Sequence, residues 1–302
     1  MLTEHRGEAM GTTVHIAAVG VTADDVAGVF GRIADRSRRW TRFSPDSELA
    51  TLNRANGLPC VLSSDTAALL KAALDGWRST GGRFDPSIHD AMIAAGYDRT
   101  FAEGPGPGGP AISAPGLHDL QVDVASATVL APSNLRLDFG GIGKGFAADL
   151  AVSELLDAGA HHAAVSIGGD LRAAGHPEAG WPIAAEPWAD PIASLADGGF
   201  CFSTTERRQW SVDGDHRHHI LDPATGRPAD GTIRHVAVAT STATQAEVQA
   251  TAAVVAGWPA ALDALETAEL DGFVVTEDGT AHHFGAWTPN PSISLSSADR
   301  TP

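Results

Sequence analysis

Three short segments carry residue types suited to chemistry on a phosphate. The first is Asp138-Phe139-Gly140-Gly141-Ile142-Gly143-Lys144-Gly145. An apolar, strand-like run from Leu135 to Phe139 enters a glycine turn, and a helix is expected to follow through Leu150 and Leu155. Bare backbone N–H groups and the positive end of a helix dipole suit an anion such as phosphate. Lys144 adds a mobile cation, and Asp138 adds a carboxylate that either accepts from a ligand donor or supports a metal. The same glycines also read as a tight turn that only permits close packing. The spacing is not a Walker A loop, since no Ser or Thr follows the Lys, nor the dinucleotide fingerprint.

The second segment is Ala246-Glu247-Val248-Gln249-Ala250-Thr251. Glu247 and Thr251 stand at i and i+4 and share one helix face. With a nearby backbone carbonyl they make a hard-cation site that keeps room for phosphate oxygens. The alternative is an exposed Glu and a Thr bonded back to its own helix. The third segment runs from His218 to Pro228, where Asp222-Pro223-Ala224-Thr225-Gly226 is turn chemistry. A His fixed beside such a turn suits a general base; among 13 His, a solvated loop His is the other reading. Arg83-Phe84-Asp85-Pro86 either lines a pocket or turns the chain, and His161-His162 receives no role.

These residues need elements to position them. Thr22-Ala23-Asp24-Asp25 reads as a helix cap, followed by a stripe of Val26, Phe30, Ile33 and Trp40. Ser63-Ser64-Asp65 starts a helix carrying Leu70, Leu74 and Trp77, which Gly81-Gly82 ends. A further helix is expected over 244–256, stopped by Gly257. Strands are expected at 13–19, 162–167, 199–203, 235–239 and 272–276, and a Gly- and Pro-rich loop at 103–115. Helices and strands mix without strict alternation, which points to an α+β (mixed α/β) fold rather than a doubly wound sheet. One domain over 1–286, of two intimately packed lobes, is expected, with a Pro- and Ser-rich tail over 287–302 expected to be partly disordered.

The net charge of −17 argues against nucleic acid or an anionic membrane as the main partner. An anionic substrate would need local help from a cation or from backbone amides. Cys60 and Cys201 share no metal-ligand spacing and indicate no disulfide framework. No apolar run reaches the roughly 18 residues of a membrane span. The N-terminus shows no basic region leading into an apolar stretch. The chain as given is therefore expected in the cytoplasm, with extracytoplasmic, membrane-associated action left open if a leader was removed.

Taken in order, these segments resemble the ApbE family of FAD:protein FMN transferases. Phe43-Ser44-Pro45-Asp46-Ser47-Glu48-Leu49 with Leu52-Asn53-Arg54 is similar to one family element, and Gly82-Arg83-Phe84-Asp85-Pro86 with Gly96-Tyr97-Asp98 to a second. Asp138 to Gly145, Ser166-Ile167-Gly168-Gly169-Asp170 and His219 to Pro228 are similar to three more.

The resemblance implies an ApbE-like flavin transferase fold. It implies that FAD, the substrate, touches Met10, Phe43, Arg83, Phe84, Asp85, Asp138, Lys144 and Leu221. It implies a magnesium ion on Glu247, Thr251 and the carbonyls of Gly141 and Ala250, and His219 as the base for a Ser or Thr hydroxyl of an acceptor protein. AMP would leave.

Two departures stand out. Glu247 replaces the family's usual Asp, and Phe202-Ser203-Thr204 stands where Thr-Ser-Gly or Thr-Ser-Ser is common. They leave two other readings open: an FAD pyrophosphatase giving FMN and AMP, and a non-catalytic flavin-binding protein.

Overall fold

Alternation along the strands decides the architecture. On β2 (Thr12–Val19), Val14, Ile16 and Ala18 enter one core, while Ala17 enters a second on the opposite face. The chain, seen in a computed structural model that describes residues 1–175, 180–184, 191–212 and 214–287, is therefore a sheet covered on both sides. Of the tail expected over 287–302, Trp287 packs against Phe200 of the sheet, and the rest lies outside the described residues.

The sheet has eight strands. They are β1 (Leu2–Ala9), β2, β3 (His162–Ile167), β4 (Asp170–Ala174), β5 (Gly198–Thr204), β6 (Ile233–Thr240), β7 (Asp271–Thr276) and β8 (Ala281–Phe284). Each pairs antiparallel with the next. Val14 lies opposite Ile167, Phe200 opposite Leu171, and Thr204 opposite His235. That register brings the β1–β2 turn at Met10-Gly11, the β3–β4 turn at Gly168-Gly169 and the end of β5 to one end of the sheet. The functional site is built there.

Helices fill the long connections. Thr22 caps α1 (Ala23–Trp40) in a reciprocal capping box with Asp25. The others are α2 (Glu48–Asn53), α3 (Ser64–Ser79), α4 (His89–Ala94), α5 (Gly143–Asp157), α6 (Ala243–Ala256) and α7 (Ala260–Thr267). The helices expected from periodicity match α1, α3, α5 and α6. Apolar residues surround α6, as a buried helix requires. Val248 and Ala252 join the core shared with α1, α3 and α5, while Ala246, Ala250 and Ala253 join the core under β6 and β7.

One expectation is corrected. Leu135 to Phe139 is extended and alternates like a strand, burying Leu135, Leu137 and Phe139, yet pairs with no strand among the described residues. Its hydrogen bonds go elsewhere. The Asn53 side chain accepts from Leu137 N at 2.8 Å and donates to Leu137 O at 2.9 Å. Asp138 N donates to Pro86 O at 2.8 Å.

A distant carboxamide thus replaces a strand edge and fixes the approach to the glycine turn. Asn53→Ala leaves both Leu137 groups without partners. Its expected cost is about 2–4 kcal/mol in urea unfolding, where an ordinary surface substitution would change little. A cost below about 1 kcal/mol would show that the amide bridge does not hold the turn.

Candidate active site

Helices α5 and α6 grip each other at their N-termini. Asp149 of α5 accepts from Ala243 N and Thr244 N, both at 2.9 Å, at the start of α6. Glu247 of α6 accepts from Gly145 N at 2.8 Å, at the start of α5. Each carboxylate satisfies bare donors and faces the positive end of the other helix. The approach requires a glycine, because a Cβ on Gly145 would lie 2.4 Å from Ala243 O. Of the two readings of the glycine turn, close packing is visible at Gly145.

Glu247 is 2% exposed, which rules out the reading of it as a solvated side chain. Its second oxygen takes Lys144 Nζ. Lys144 Nζ also lies 2.7 Å from Oδ2 of the buried Asp170. Burial works to lower the Lys144 pKa, but Asp170 and Glu247 outweigh it and keep the ammonium charged. Burial, reinforced by Asp170, pushes Glu247 up to about 7. Two buried carboxylates thus face one ammonium, leaving a negative charge that calls for a proton or a cation.

A hard cation fits that demand. Gly141 stands beside Thr251, since a Cβ on Gly141 would lie 3.5 Å from Thr251 Oγ1. Among the described residues no cluster of three or more His, Cys, Asp or Glu could hold a metal. A cation here would rely on Glu247, Asp170, the Thr251 hydroxyl, backbone carbonyls and substrate oxygens, which is the donor chemistry of magnesium.

These groups open into a cavity of about 780 Å³, a size ordinary for a cofactor-sized ligand. Its walls include every site residue expected from the sequence except Ala250, whose side chain packs in the core beneath α6. Asp138 is already engaged: Oδ1 accepts from Gly140 N at 2.6 Å, and Oδ2 pairs with Arg42 Nε at 2.6 Å. The Arg42 guanidinium lies 4.3 Å from the Phe43 ring centre and 4.7 Å from that of Tyr97. Asp85 caps its own turn, accepting from Ser87 N at 2.8 Å and from Trp77 Nε1 at 3.2 Å. Burial raises its pKa. Leu221 packs with Met92, Ala95 and Trp210, and Phe84 is buried near Gly141.

His219 also lines the cavity. Burial first, then the charges of Arg208, His218 and Lys144, lower it to about 3, and a hydrogen bond to the Arg207 backbone only partly opposes them. Its Nδ1 is buried without a hydrogen-bond partner. The imidazole is thus neutral, with a nitrogen able to accept a proton.

Sequence reading gave no role to Asp170, Cys201 or Arg42. Asp170 was signalled by the Gly168-Gly169 turn before it, and Arg42 by its place next to Phe43. Cys201 is buried beside Asp170 and Glu247, and burial pushes its thiol well up. Phe202 lines the cavity and stacks on His235 at 5.3 Å, so a ring occupies the place of the family's hydroxyl.

In fold the chain is a flavin-transferase-type α+β protein. It is similar to the ApbE protein of Thermotoga maritima, with a TM-score of 0.81 at 24% identity over 94% of this chain and 97% of that one. It is also similar to the Pseudomonas stutzeri flavinyl transferase ApbE, with a TM-score of 0.80 at 24% identity over 95% of each. The ApbE family model matches residues 10–274, and the chain belongs to that family.

Two relatives bear the name FAD:protein FMN transferase. The Treponema pallidum protein is 30% identical over 70% of this chain and 66% of its own length. The Salmonella typhimurium protein is 27% identical over 93% and 85%.

The state of His219 can be checked. Because its pKa lies below the free value of 6.5, the unfolded chain binds a proton that the folded one refuses, and stability falls as pH drops from about 6.5 toward 3. Ring proton shifts in NMR should stay flat from pH 5 to 9. His219→Asn should lose stability less steeply over the acid range. A ring titrating near 6.5 would overturn this account.

Proposed function

We propose that this chain transfers FMN from FAD to a Ser or Thr hydroxyl of an acceptor protein, releasing AMP. The observation that carries the reading is the surplus negative charge of Lys144, Glu247 and Asp170 at a cavity wall that also bears a neutral, buried His219. Membership of the ApbE family and the names of the relatives agree with it. Among the described residues no helix is long and apolar enough to cross a membrane.

In the proposed step the acceptor hydroxyl oxygen attacks the FMN phosphorus of FAD. A new P–O bond forms, the bond to the bridging oxygen breaks, and AMP departs with that oxygen. His219 takes the hydroxyl proton. Arg42 and Asp138 hold the glycine turn, and Met10, Phe43, Arg83, Phe84, Asp85 and Leu221 form the walls against which FAD is oriented.

Glu247, Thr251 and the carbonyls of Gly141 and Ala250, with Asp170 beside them, would hold a magnesium ion, which supplies charge neutralisation to the pyrophosphate. Lys144 keeps Glu247 and Asp170 together. Glu247 suits this place because one arm reaches both the Gly145 amide and the Lys144 ammonium.

The test is incubation with FAD, with and without magnesium, in the presence of a candidate acceptor. Covalent flavin on the acceptor with stoichiometric AMP supports the transferase. FMN and AMP alone would make it a pyrophosphatase, and intact bound FAD in every acceptor trial would make it a binding protein.

Glu247→Gln is expected to lower magnesium-dependent turnover by more than about 100-fold while much FAD binding survives. Undiminished turnover would place the metal elsewhere. His219→Ala is expected to lower transfer by about 10²–10⁴-fold with little change in FAD affinity. Equal losses in both would make His219 a binding or structural residue.

A further inference from the structure

The cavity walls carry five cationic side chains in a protein of net charge −17: Arg42, Arg83, Lys144, Arg207 and Arg208. Arg42 is engaged with Asp138, and Lys144 with Glu247 and Asp170. Arg208 is different. It is half-buried, and among the described residues it makes no ion pair and its side chain no hydrogen bond.

Its backbone is equally distinctive. Arg208 has φ +49°, a left-handed conformation disfavoured for a residue with a Cβ. The residue leads directly into the hairpin of Gln209–Val212 with Asp215–His218, which ends at His219. Arg208 Nη2 stands 4.0 Å from the place a Cβ on Gly11 would take, facing the β1–β2 turn at the site end of the sheet. Strained backbone that holds a side chain against a cavity is a recurrent mark of binding sites.

We propose that Arg208 binds a phosphate oxygen of the dinucleotide in this cavity, beside the Met10-Gly11 turn. The proposal rests on the FAD-cleaving reading above and adds a residue to it. An unpaired guanidinium in a cleft attracts an anion and grips it in a charge-assisted hydrogen bond. It also serves His219. The Arg208 charge reaches that imidazole, so a bound phosphate that neutralises the guanidinium removes one influence that weakens the base. Substrate arrival would then strengthen the base at the moment it is needed.

The test compares FAD with riboflavin, which lacks the phosphates, by fluorescence titration of wild type, Arg208→Asn and Arg208→Lys. Asn tolerates left-handed backbone and so keeps the turn. FAD affinity should fall at least about tenfold in Arg208→Asn and recover in part in Arg208→Lys, with riboflavin affinity unchanged. The Asn variant should also show a weaker salt dependence of FAD binding.

Equal losses for FAD and riboflavin would make Arg208 a structural residue and overturn the proposal. Wild-type protein that binds FAD, with an Asn variant that binds it equally well, would overturn this proposal alone. Wild-type protein that does not bind FAD would overturn the functional reading as well.

Discussion

The contact between Glu247 and the amide of Gly145 is the constraint on which the rest of the site depends. It exists because a glycine lets α5 press against the first residues of α6, and because Asp149 returns the same bond in the other direction. Reciprocal capping satisfies helix-end donors that would otherwise be buried without partners. It also fixes the rotation of both helices. Lys144, one residue before Gly145, is thereby aimed between Glu247 and Asp170, and Thr251, one turn after Glu247, lies beside Gly141. A single close approach positions four chemical groups from three distant parts of the chain.

Stability alone does not explain that arrangement. A buried ion pair rarely repays its desolvation, and two carboxylates against one ammonium are worse than a balanced pair. Apolar packing of the same volume would hold the helices at least as well. The surplus charge makes sense as half of an interaction whose other half comes from outside, a cation together with the phosphates it accompanies. Perturbed groups of this kind gather at functional sites for that reason.

What could be read from the sequence divides along the same physical line. Local signals held: the Thr22 capping box, the α1 and α3 stripes, the helix after Asp138-to-Gly145, and Gly257 as a stop. The Glu247/Thr251 spacing put two groups on one face, and both reach the cavity. Contacts between distant residues stayed hidden. Leu135 to Phe139 has the alternation of a strand, but its partner is the side chain of Asn53, which no local pattern announces. Asp170 stood in a quoted motif, yet its role appears only when β4 is laid beside β5 and under Lys144. The burial of Glu247 was equally invisible, since a carboxylate in a helix is exposed by default.

In the proposed reaction, an environment that weakens His219 as a base can still serve catalysis. A histidine near its free pKa would be partly protonated at neutral pH, and its charge would repel Lys144 and Arg208. Burial keeps the ring neutral, so all of the protein is in the form that accepts a proton. The penalty is basicity; burial sets the larger part of it, and cations that an anionic substrate would screen add to it. The same cavity that holds the imidazole weak when empty of anions would raise its proton affinity once phosphate oxygens face those cations, and an acceptor hydroxyl arriving afterward would meet a stronger base. The order of events, substrate before acceptor, would then follow from electrostatics without any movement of the fold.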